Sequence, residues 1–358
     1  MRTLDCEDMF AADSNVAPAP VRNAPRTEPG SSWKRIIEPV EPFLEAVAAR
    51  LNKQVTSFEP ELVPYAEYAL STNGKHLRPA LVALSANAVG KAGDPHVTAA
   101  VIIEMVHLAT LVHDDVMDEA EIRRGRLTLA ANWGNEIAVL FGDCLFAQAL
   151  KLAASFPTPE VCRSVAMATN TVCSGEILQT QHRGDFQFTR EKYFKVLEMK
   201  TAELFALSCE LSAFLTGTGI ESQAALRQFG LAFGTAYQVY DDCIDLFGSE
   251  ATAGKSLGTD LAKGKLTLPV LLAWERANSS DRARLQKLVK SWDATSVQDI
   301  SELLASYDTL SGSLEIIHSY LERARTILRE LPHSEGRAGL LGLAQYLATQ
   351  ADDLEISA

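Results

Sequence analysis

The chain has too few cysteines, and in the wrong spacing, for a disulfide-rich or zinc-binding protein. Its six cysteines are scattered through 358 residues, and no two stand in a Cys-x-x-Cys pair. Disulfide scaffolds and zinc domains need closely spaced cysteines. We therefore expect buried free thiols in a reducing compartment such as the cytoplasm.

Basic residues and long uncharged apolar runs are also scarce. Thirty-three Lys and Arg stand against 46 Asp and Glu, a net charge of −13. This balance argues against a nucleic-acid binder, which needs a basic surface, but is compatible with a local basic pocket for a small phosphorylated molecule. No segment reaches the ~18 uncharged apolar residues of a membrane span. The longest, Thr98 to Val112, is interrupted by Glu104 and His107. The acidic N-terminus lacks a signal pattern, which predicts a cytoplasmic protein.

Strict apolar–polar alternation, the pattern of β-strands, is rare after Trp33. Apolar residues instead recur at three- and four-residue spacing, with glycine and proline between the stretches. These stretches are 39–56, 61–72, 97–118, 135–154, 160–182, 190–215, 221–247 and 267–276. The pattern predicts one all-α domain over 31–358, a bundle of ten or more helices around a deep cavity. Residues 1–30 are rich in proline and have no apolar period, so we expect a disordered leader.

Two acidic motifs with the same spacing follow apolar helices. They are Asp114, Asp115 and Asp118, and Asp241, Asp242 and Asp245. The first and third members share a helix face, about 6 Å apart. One such motif alone is often an ordinary solvated helix face. Two carboxylate clusters in apolar surroundings cost several kcal/mol unless cations compensate, which favours a functional role for the pair.

The chemistry of the acidic side chains indicates a hard divalent cation. Carboxylate oxygens suit Mg²⁺ or Mn²⁺, and neither motif has the loop spacing of an EF-hand. Mg²⁺ usually completes its shell with water and substrate phosphate, so a diphosphate ligand is expected. His107 lies two helical turns before Asp114, about 10 Å away and too far to share that metal. It is either a core histidine or a hydrogen-bond donor to a second anionic group.

Basic residues lie beside both acidic motifs and at helix ends. They are Lys75, Arg78, Arg123, Arg124, Lys200, Lys255, Lys263 and Lys265. Arginine grips phosphate oxygens with two parallel donors, and lysine adds a point charge. Each residue taken singly would be an ordinary surface charge. Their common placement favours binding of phosphorylated substrates.

These motifs resemble the trans-isoprenyl diphosphate synthase (polyprenyl synthetase) family over about residues 35 to 350. The matching stretches are GKHLRP (74–79), HDDVMDEAEIRRG (113–125), WGNEIAVLFGD (133–143), GEILQ (175–179), KTAEL (200–204), YQVYDDCID (237–245) and GKSLGTDLAKGKLTLP (254–269). Asn73 and His76 depart from the pattern, since many members have Gly and Arg there. The departures bear little on the expected chemistry.

The resemblance implies an all-α homodimer that condenses isopentenyl diphosphate head-to-tail with an allylic diphosphate and releases pyrophosphate. It implies an isopentenyl diphosphate site formed by Lys75, Arg78, His107 and Arg124. It implies Mg²⁺ sites at the two aspartate motifs, which with Lys200 form the catalytic set. It further implies allylic-substrate contacts from Arg123, Lys200, Thr201, Gln238, Lys255 and Lys265.

The length of the product is predicted from helix geometry. Ala109 and Thr110 lie about one turn before Asp114, and Val106 and Ile103 lie further back at turns of about 5.4 Å. Short-product members of the family usually carry an aromatic ring at position 109 or 110. Both residues are small here, so we expect an open tunnel and a product of C30 or longer.

Other functions fit part of this pattern. A short-chain (C15–C20) synthase and, less readily, a non-catalytic partner subunit of a heteromeric synthase stay open as alternatives. A partner subunit should have lost acidic ligands, and both motifs are intact. A terpene cyclase has no need for Lys75, Arg78 and the second motif. A purely structural bundle would not keep six carboxylates on apolar helices.

Overall fold

The computed structural model describes residues 33–71, 76–248, 257–292 and 296–357. The predicted leader, Lys75 and Lys255 lie outside the described residues. Within the described part the chain is helical apart from one short hairpin, so the all-α prediction is confirmed. The single catalytic domain over 31–358 stays a prediction.

The N-terminal half contains eight helices and the hairpin. The helices are α1 (Trp33–Ile37), α2 (Glu41–Val55), α3 (Val63–Leu70), α4 (Leu77–Val89), α5 (Asp94–Met117), α6 (Leu129–Trp133), α7 (Asn135–Ala154) and α8 (Pro159–Gln181), with 3₁₀ turns at Glu38–Val40 and Pro60–Leu62. The antiparallel strands are β1 (Ile122–Arg123) and β2 (Arg126–Leu127). Arg124 and Gly125 both have positive φ, the backbone that a two-residue hairpin turn favours. Strands of two residues are too short to show the apolar–polar alternation by which a strand is predicted from sequence.

The C-terminal half contains helices joined by loops, with no strand among its described residues. Its helices are α9 (Arg190–Leu197), α10 (Glu203–Leu215), α11 (Ile220–Phe247), α12 (Thr259–Ala262), α13 (Leu268–Arg276), α14 (Ser279–Lys290), α15 (Ser296–Ala305), α16 (Thr309–Arg329) and α17 (Glu335–Ser357). The predicted helices over 135–154 and 221–247 match α7 and α11 to within a residue.

The stretch 190–215, predicted as one helix, is interrupted by a π-helical turn over Glu198–Ala202 between α9 and α10. A π turn inserts one extra residue and re-aims the side chains beside it. Gly175 of α8 permits the close approach there, because a Cβ atom at this glycine would lie 2.7 Å from the backbone nitrogen of Lys200. The turn thus carries Lys200 against α8.

Two long helices bring the acidic motifs into the bundle. Helix α10 packs against both α5 and α11, so it lies between the two helices that end in these motifs. The buried apolar residues form two clusters, one around α5 and α7 and one around α11 and α16. Both motifs lie at C-terminal ends of helices held by these clusters.

By length and composition, α5 and α7 could each cross a membrane, although the sequence predicted no span. The apolar window of α5 is 72% buried inside the bundle, as expected for a core helix. That of α7 is only 39% buried. Helix α7 packs against α5, α6 and α8 on one side and carries exposed apolar residues on the other.

Candidate active site

The first aspartate motif lies where α5 ends. Helix α5 extends to Met117, and the backbone N–H of Asp118 donates to the carbonyl of Asp114 at 2.8 Å. Asp115 is buried, and the side chains of Asp114 and Asp118 are only 19% and 11% exposed. The carboxylates therefore face the interior of the site and not bulk water.

Cations surround this first motif. Arg123 Nε donates to Asp115 Oδ1 at 2.7 Å, and Lys265 Nζ donates to Asp118 Oδ2 at 2.8 Å. Burial would raise the pKa of Asp118, but Lys265 and its neighbouring lysines outweigh burial and lower that pKa. Burial dominates at Asp114 and raises its pKa, although Lys200 lies 3.8 Å from its carboxylate.

Neutral groups donate hydrogen bonds to Asp242 of the second motif. The Tyr193 hydroxyl donates to Asp242 at 2.6 Å, and the Gln238 side-chain amide donates to it at 2.8 Å. Burial, followed by the nearby Asp260, raises the pKa of Asp242 well above the ordinary value. Asp242 is buried and Asp241 is half-buried.

Asp245 is fully buried and holds the segment that follows α11. Its carboxylate accepts from the Thr259 hydroxyl at 2.7 Å and from the backbone N–H groups of Thr259 and Asp260. Its backbone carbonyl accepts from Gly258 at 2.7 Å. Asp245 thereby fixes the start of α12, a connection that the spacing of the motif does not reveal.

The π turn connects the two motifs. Lys200 lies beside Asp114, while the hydroxyl of the next residue, Thr201, donates to Gln238 at 3.0 Å, and Gln238 in turn contacts Asp242. A cavity of about 70 Å³ opens at this junction. Its lining includes Gln179, Lys200, Thr201, Gln238, Asp242, Asp260 and Lys265. The lining thus contains Asp242 of the second motif and four of the predicted allylic contacts (Lys200, Thr201, Gln238 and Lys265). The first motif lies next to this cavity, because Lys200 is 3.8 Å from Asp114 and Lys265 is 2.8 Å from Asp118.

Lys200 is the most strongly paired cation of the site. It forms an ion pair with Glu176 and donates to the Gln179 side chain at 2.9 Å. Burial alone would lower its pKa, but the carboxylates of Asp114 and Glu176 outweigh burial and raise it. Lys200 is therefore a firmly protonated cation that can stabilise a phosphate.

Arg78, His107 and Arg124 form a second basic group on the side of α4 and α5. Burial, followed by the charges of Arg78 and Arg124, lowers the pKa of His107 well below its ordinary value, so the ring is neutral. The guanidinium of Arg78 lies 4.8 Å from the ring centre of Phe205. The buried Glu104 raises the pKa of both arginines, although burial outweighs it at each. A neutral imidazole between two cations suits a hydrogen bond to an anion.

The carboxylates suit a divalent cation but do not form a closed cage. Among residues 33–71, 76–248, 257–292 and 296–357, no group of three or more His, Cys, Asp and Glu side chains forms a ready-made metal site. The donors at both motifs are carboxylate oxygens, which hard cations prefer. Mg²⁺ is usually held by one or two carboxylates and completed by substrate phosphates. The residues present therefore fit such an ion.

The predicted chain-length residues lie along α5 as expected. Ala109, Val106 and Ile103 are buried, and the Thr110 hydroxyl donates to the carbonyl of His107 at 2.7 Å. A second cavity, of about 140 Å³, touches other residues of α5, including Leu108, Leu111 and Val112. The role of the four predicted residues in product length stays a prediction.

Sequence reasoning did not single out Glu176, Tyr193 or Arg183. Glu176 lies in GEILQ (175–179), one of the stretches that resemble the family, so that resemblance could have pointed to it. Tyr193 follows a charged segment, and Arg183 follows α8, with no spacing that connects either to an aspartate. Only the folded chain brings them to the site.

Comparison with known proteins agrees with this arrangement. A family model described as polyprenyl synthetase matches residues 59–307. The octaprenyl diphosphate synthase of Escherichia coli is 33% identical, covering 86% of this chain and 96% of that protein. Heptaprenyl diphosphate synthase component 2 of Bacillus subtilis is 33% identical, covering 85% of this chain and 87% of that protein. A short chain isoprenyl diphosphate synthase of Methanothermobacter thermautotrophicus is 32% identical, covering 85% of this chain and 95% of that protein.

A solved structure is similar throughout the bundle. The polyprenyl synthase from Caulobacter crescentus, complexed with calcium and isoprenyl diphosphate, has a TM-score of 0.84 and 30% identity. The match covers 90% of this chain and 99% of that one. The chain described here belongs to the polyprenyl synthetase family. It is accordingly a prenyltransferase with the all-α isoprenoid synthase fold.

Proposed function

We propose that this chain condenses isopentenyl diphosphate with an allylic diphosphate and produces an all-trans polyprenyl diphosphate of C30 or longer. The observation that carries the proposal is a cavity lined by Asp242, Lys200 and Lys265, since the two lysines pair with Asp114 and Asp118 of the first motif. The C–O bond of the allylic substrate breaks and gives pyrophosphate. Its C1 bonds to C4 of isopentenyl diphosphate, and a proton leaves C2.

The protein contributes fixed positive charge where negative charge grows. Lys200, Arg123 and Lys265 lie against the first motif and can contact the leaving diphosphate. Charges that are already in place stabilise the transition state more than the ground state. The surrounding buried side chains keep water from the allylic cation. The departing pyrophosphate accepts the proton in this scheme, so no side-chain base is required.

The second substrate occupies the basic group on α4 and α5 in this proposal. Arg78 and Arg124 supply charge to the diphosphate of isopentenyl diphosphate, and neutral His107 supplies an N–H donor. Lys75 belongs to the same proposed site and lies outside the described residues. Binding at this group places the second substrate beside the first motif, because His107 and Asp114 share α5.

Magnesium is the cation we propose at the aspartates, with Mn²⁺ as a substitute. Asp114, Asp115 and Asp118 would hold it on one side, and Asp241, Asp242 and Asp245 on the other. When bound, such an ion neutralises the diphosphate and favours its departure. The calcium and isoprenyl diphosphate named for the Caulobacter structure support a divalent cation of this kind.

Product length is the point at which long-chain and short-chain synthases separate. The relatives include an octaprenyl and a short-chain enzyme at nearly equal identity, so identity does not decide. The small, buried Ala109 supports the longer product, since it leaves no ring across the proposed tunnel. Ala109→Phe should shorten the main product, as measured by mass spectrometry. Leu152→Phe on α7 is a matched control, and an unchanged product length in Ala109→Phe would contradict the tunnel.

The central experiment supplies isopentenyl diphosphate, Mg²⁺ and one allylic primer at a time, of C5, C10, C15 or C20. We expect pyrophosphate release and a polyprenyl diphosphate of at least thirty carbons with one or more primers. Chelation by EDTA should stop the reaction, and excess Mg²⁺ should restore it. No elongation of any primer by the metal-loaded chain would overturn the proposed function.

We further propose that the enzyme is a homodimer joined through α7 and α8. Large apolar side chains are exposed there, 61% at Leu140, 63% at Met167 and 59% at Ile177. Exposed apolar patches of this kind mark interaction surfaces. Sedimentation should give twice the 38.9 kDa chain mass, and Leu140→Glu with Met167→Glu should give monomers. A monomer that needs another protein for activity would favour the heteromeric alternative, which the Bacillus component 2 exemplifies.

A cytoplasmic location is part of the proposal. Every cysteine within the described residues is a free thiol, as a reducing compartment favours. The test is fractionation of cells that express the tagged chain. Recovery in the membrane pellet would contradict it.

A further inference from the structure

The carboxylate of Asp118 faces more positive charge than it can neutralise. Arg183 Nη2 lies 2.9 Å from its Oδ1, while Lys265 and Lys263 lie 2.8 and 3.4 Å from its Oδ2. Asp260 contributes one more carboxylate, 3.9 Å from Lys265. Three cations thus converge on the one carboxylate of Asp118, with Asp114 and Asp115 also within electrostatic reach of the lysines. Cations gathered in this way can bind an anion when the carboxylate is engaged elsewhere.

A crossing of two loops fixes the cations in place. The backbone N–H of Gly184 donates to the carbonyl of Gly264 at 2.7 Å, and both glycines have φ of +70°. A Cβ atom at Gly264 would lie 3.2 Å from the nitrogen of Gly184. Positive φ and close approach both favour glycine. The crossing therefore sets Arg183, beside Gly184, against the two lysines that flank Gly264.

The cluster also has an unused hydrogen-bond donor. The Nε atom of Arg183 is buried and has no hydrogen-bond partner within the described part of the chain. A guanidinium presents five N–H donors in a fixed fork that matches phosphate geometry. The side chains of Arg183 and Lys263 are 26% and 28% exposed, so part of each can be reached from solution. A shift of the Arg183 side chain away from Asp118 would turn its buried Nε toward a ligand, and two accessible cations with an unpaired donor suit a phosphate group.

We propose that Arg183 and Lys263 are two further contacts for the diphosphate of the allylic substrate and for the pyrophosphate it releases. The proposal rests on the function proposed above. Lys263 shares the Asp118 Oδ2 atom with Lys265, one of the expected allylic contacts, so all three cations lie at one diphosphate site. If Asp118 binds a metal ion, its carboxylate would no longer neutralise Arg183, Lys263 and Lys265. The three cations would then be available to contact phosphate oxygens.

The test compares pyrophosphate binding by Arg183→Gln, Lys263→Gln and the double variant. Arg163→Gln and Lys290→Gln are matched controls, since Arg163 is an exposed residue of α8 and Lys290 is exposed at the end of α14. Inorganic pyrophosphate is titrated calorimetrically at saturating Mg²⁺. We expect about tenfold weaker binding for each single variant, as for the loss of one charged hydrogen bond, and no change in the controls. The pyrophosphate affinity of Arg183→Lys should lie between those of the wild type and Arg183→Gln, because lysine keeps the positive charge but lacks the two parallel N–H donors of the guanidinium.

Two further measurements separate this role from simple neutralisation of Asp118. The KM for the allylic substrate should rise in parallel, while the KM for isopentenyl diphosphate should not. Mg²⁺ titrated alone should bind the variants at least as tightly as the wild type, because Asp118 has lost a competing cation. Pyrophosphate binding by the folded double variant within twofold of the wild type would overturn the proposal. An enzyme that elongates no primer, yet shows the pyrophosphate effect, would refute the proposed function and retain the anion site.

Discussion

The two aspartate motifs have the same spacing, but different groups contact Asp118 of the first and Asp242 of the second. Lysine and arginine side chains contact the first motif, whereas the hydroxyl of Tyr193 and the amide of Gln238 contact Asp242 of the second. The pKa of Asp118 is lowered by its lysines, which outweigh burial, and the pKa of Asp242 is raised well above normal by burial. Folding thus shifts the pKa values of Asp118 and Asp242 in opposite directions, whereas burial raises that of Asp114 as it does that of Asp242.

The largest expected effect tests whether both motifs serve one reaction despite this difference. Asp114→Asn and Asp242→Asn should each lower kcat at least about a hundredfold, because each removes charge stabilisation from the same departing diphosphate. Pyrophosphate release measures the loss, with exposed Asp299 as the Asn control. A strong effect in only one motif would show that the other is structural.

The second effect is on stability and has opposite sign at the two motifs. In EDTA, Asp118→Asn should lose about 1–3 kcal/mol at pH 8, because a buried charge-assisted contact disappears. The pKa of Asp118 is lowered by folding, so its contribution is present above the unfolded value and vanishes as the pH falls through the folded value. The variant and the wild type should therefore converge in acid.

Because the pKa of Asp242 is raised, its contribution to stability changes with pH in the opposite direction to that of Asp118. Its contribution is complete below the unfolded value and is lost as the pH rises through the folded value, because the ionised form is disfavoured. Asp242→Asn should thus flatten the fall in Tm at rising pH and be no less stable than the wild type at pH 8. Thermal scans from pH 4 to 9 in EDTA measure both variants, and parallel curves would contradict the comparison.

The smallest effect concerns the donor to Asp242. Tyr193→Phe removes the 2.6 Å hydrogen bond and keeps the buried ring, so we expect a loss of about 1 kcal/mol in unfolding free energy. Chemical denaturation measures it. Tyr307→Phe removes an equally short bond, to Asp281, at a half-buried residue and should cost less. An equal loss in the two variants would show that burial of Asp242 adds nothing.

The helical fold was predictable because its signal is local. The apolar period of α7 and α11 reports one buried face, which the sequence shows within a few turns. The hairpin at Ile122–Leu127 was not predicted because its two-residue strands are too short to show alternation. The π turn at Glu198–Ala202 was not predicted because it depends on the approach of another helix. Gly175 illustrates the point: its lack of a side chain matters only because Lys200 lies against it.

The sequence predicted the aspartates of the site, but fewer of the side chains that contact them. Asp114 and Asp242 stand in motifs with a fixed spacing, and burial of charge gives that spacing chemical meaning. Arg183 lies 65 residues from Asp118 and Tyr193 lies 49 residues from Asp242. No periodicity links residues so far apart, so only the three-dimensional packing reveals that they touch.

The segment from Gly258 to Lys265 is tied at one end to Asp245 and at the other to Asp118. It therefore acts as a short strap between the two carboxylate groups. A ligand that draws either carboxylate away from this segment should therefore weaken its contact with the other carboxylate. Filling of the two cation positions should accordingly be cooperative, with a Hill coefficient above one that Pro or Gly insertions in this strap would abolish.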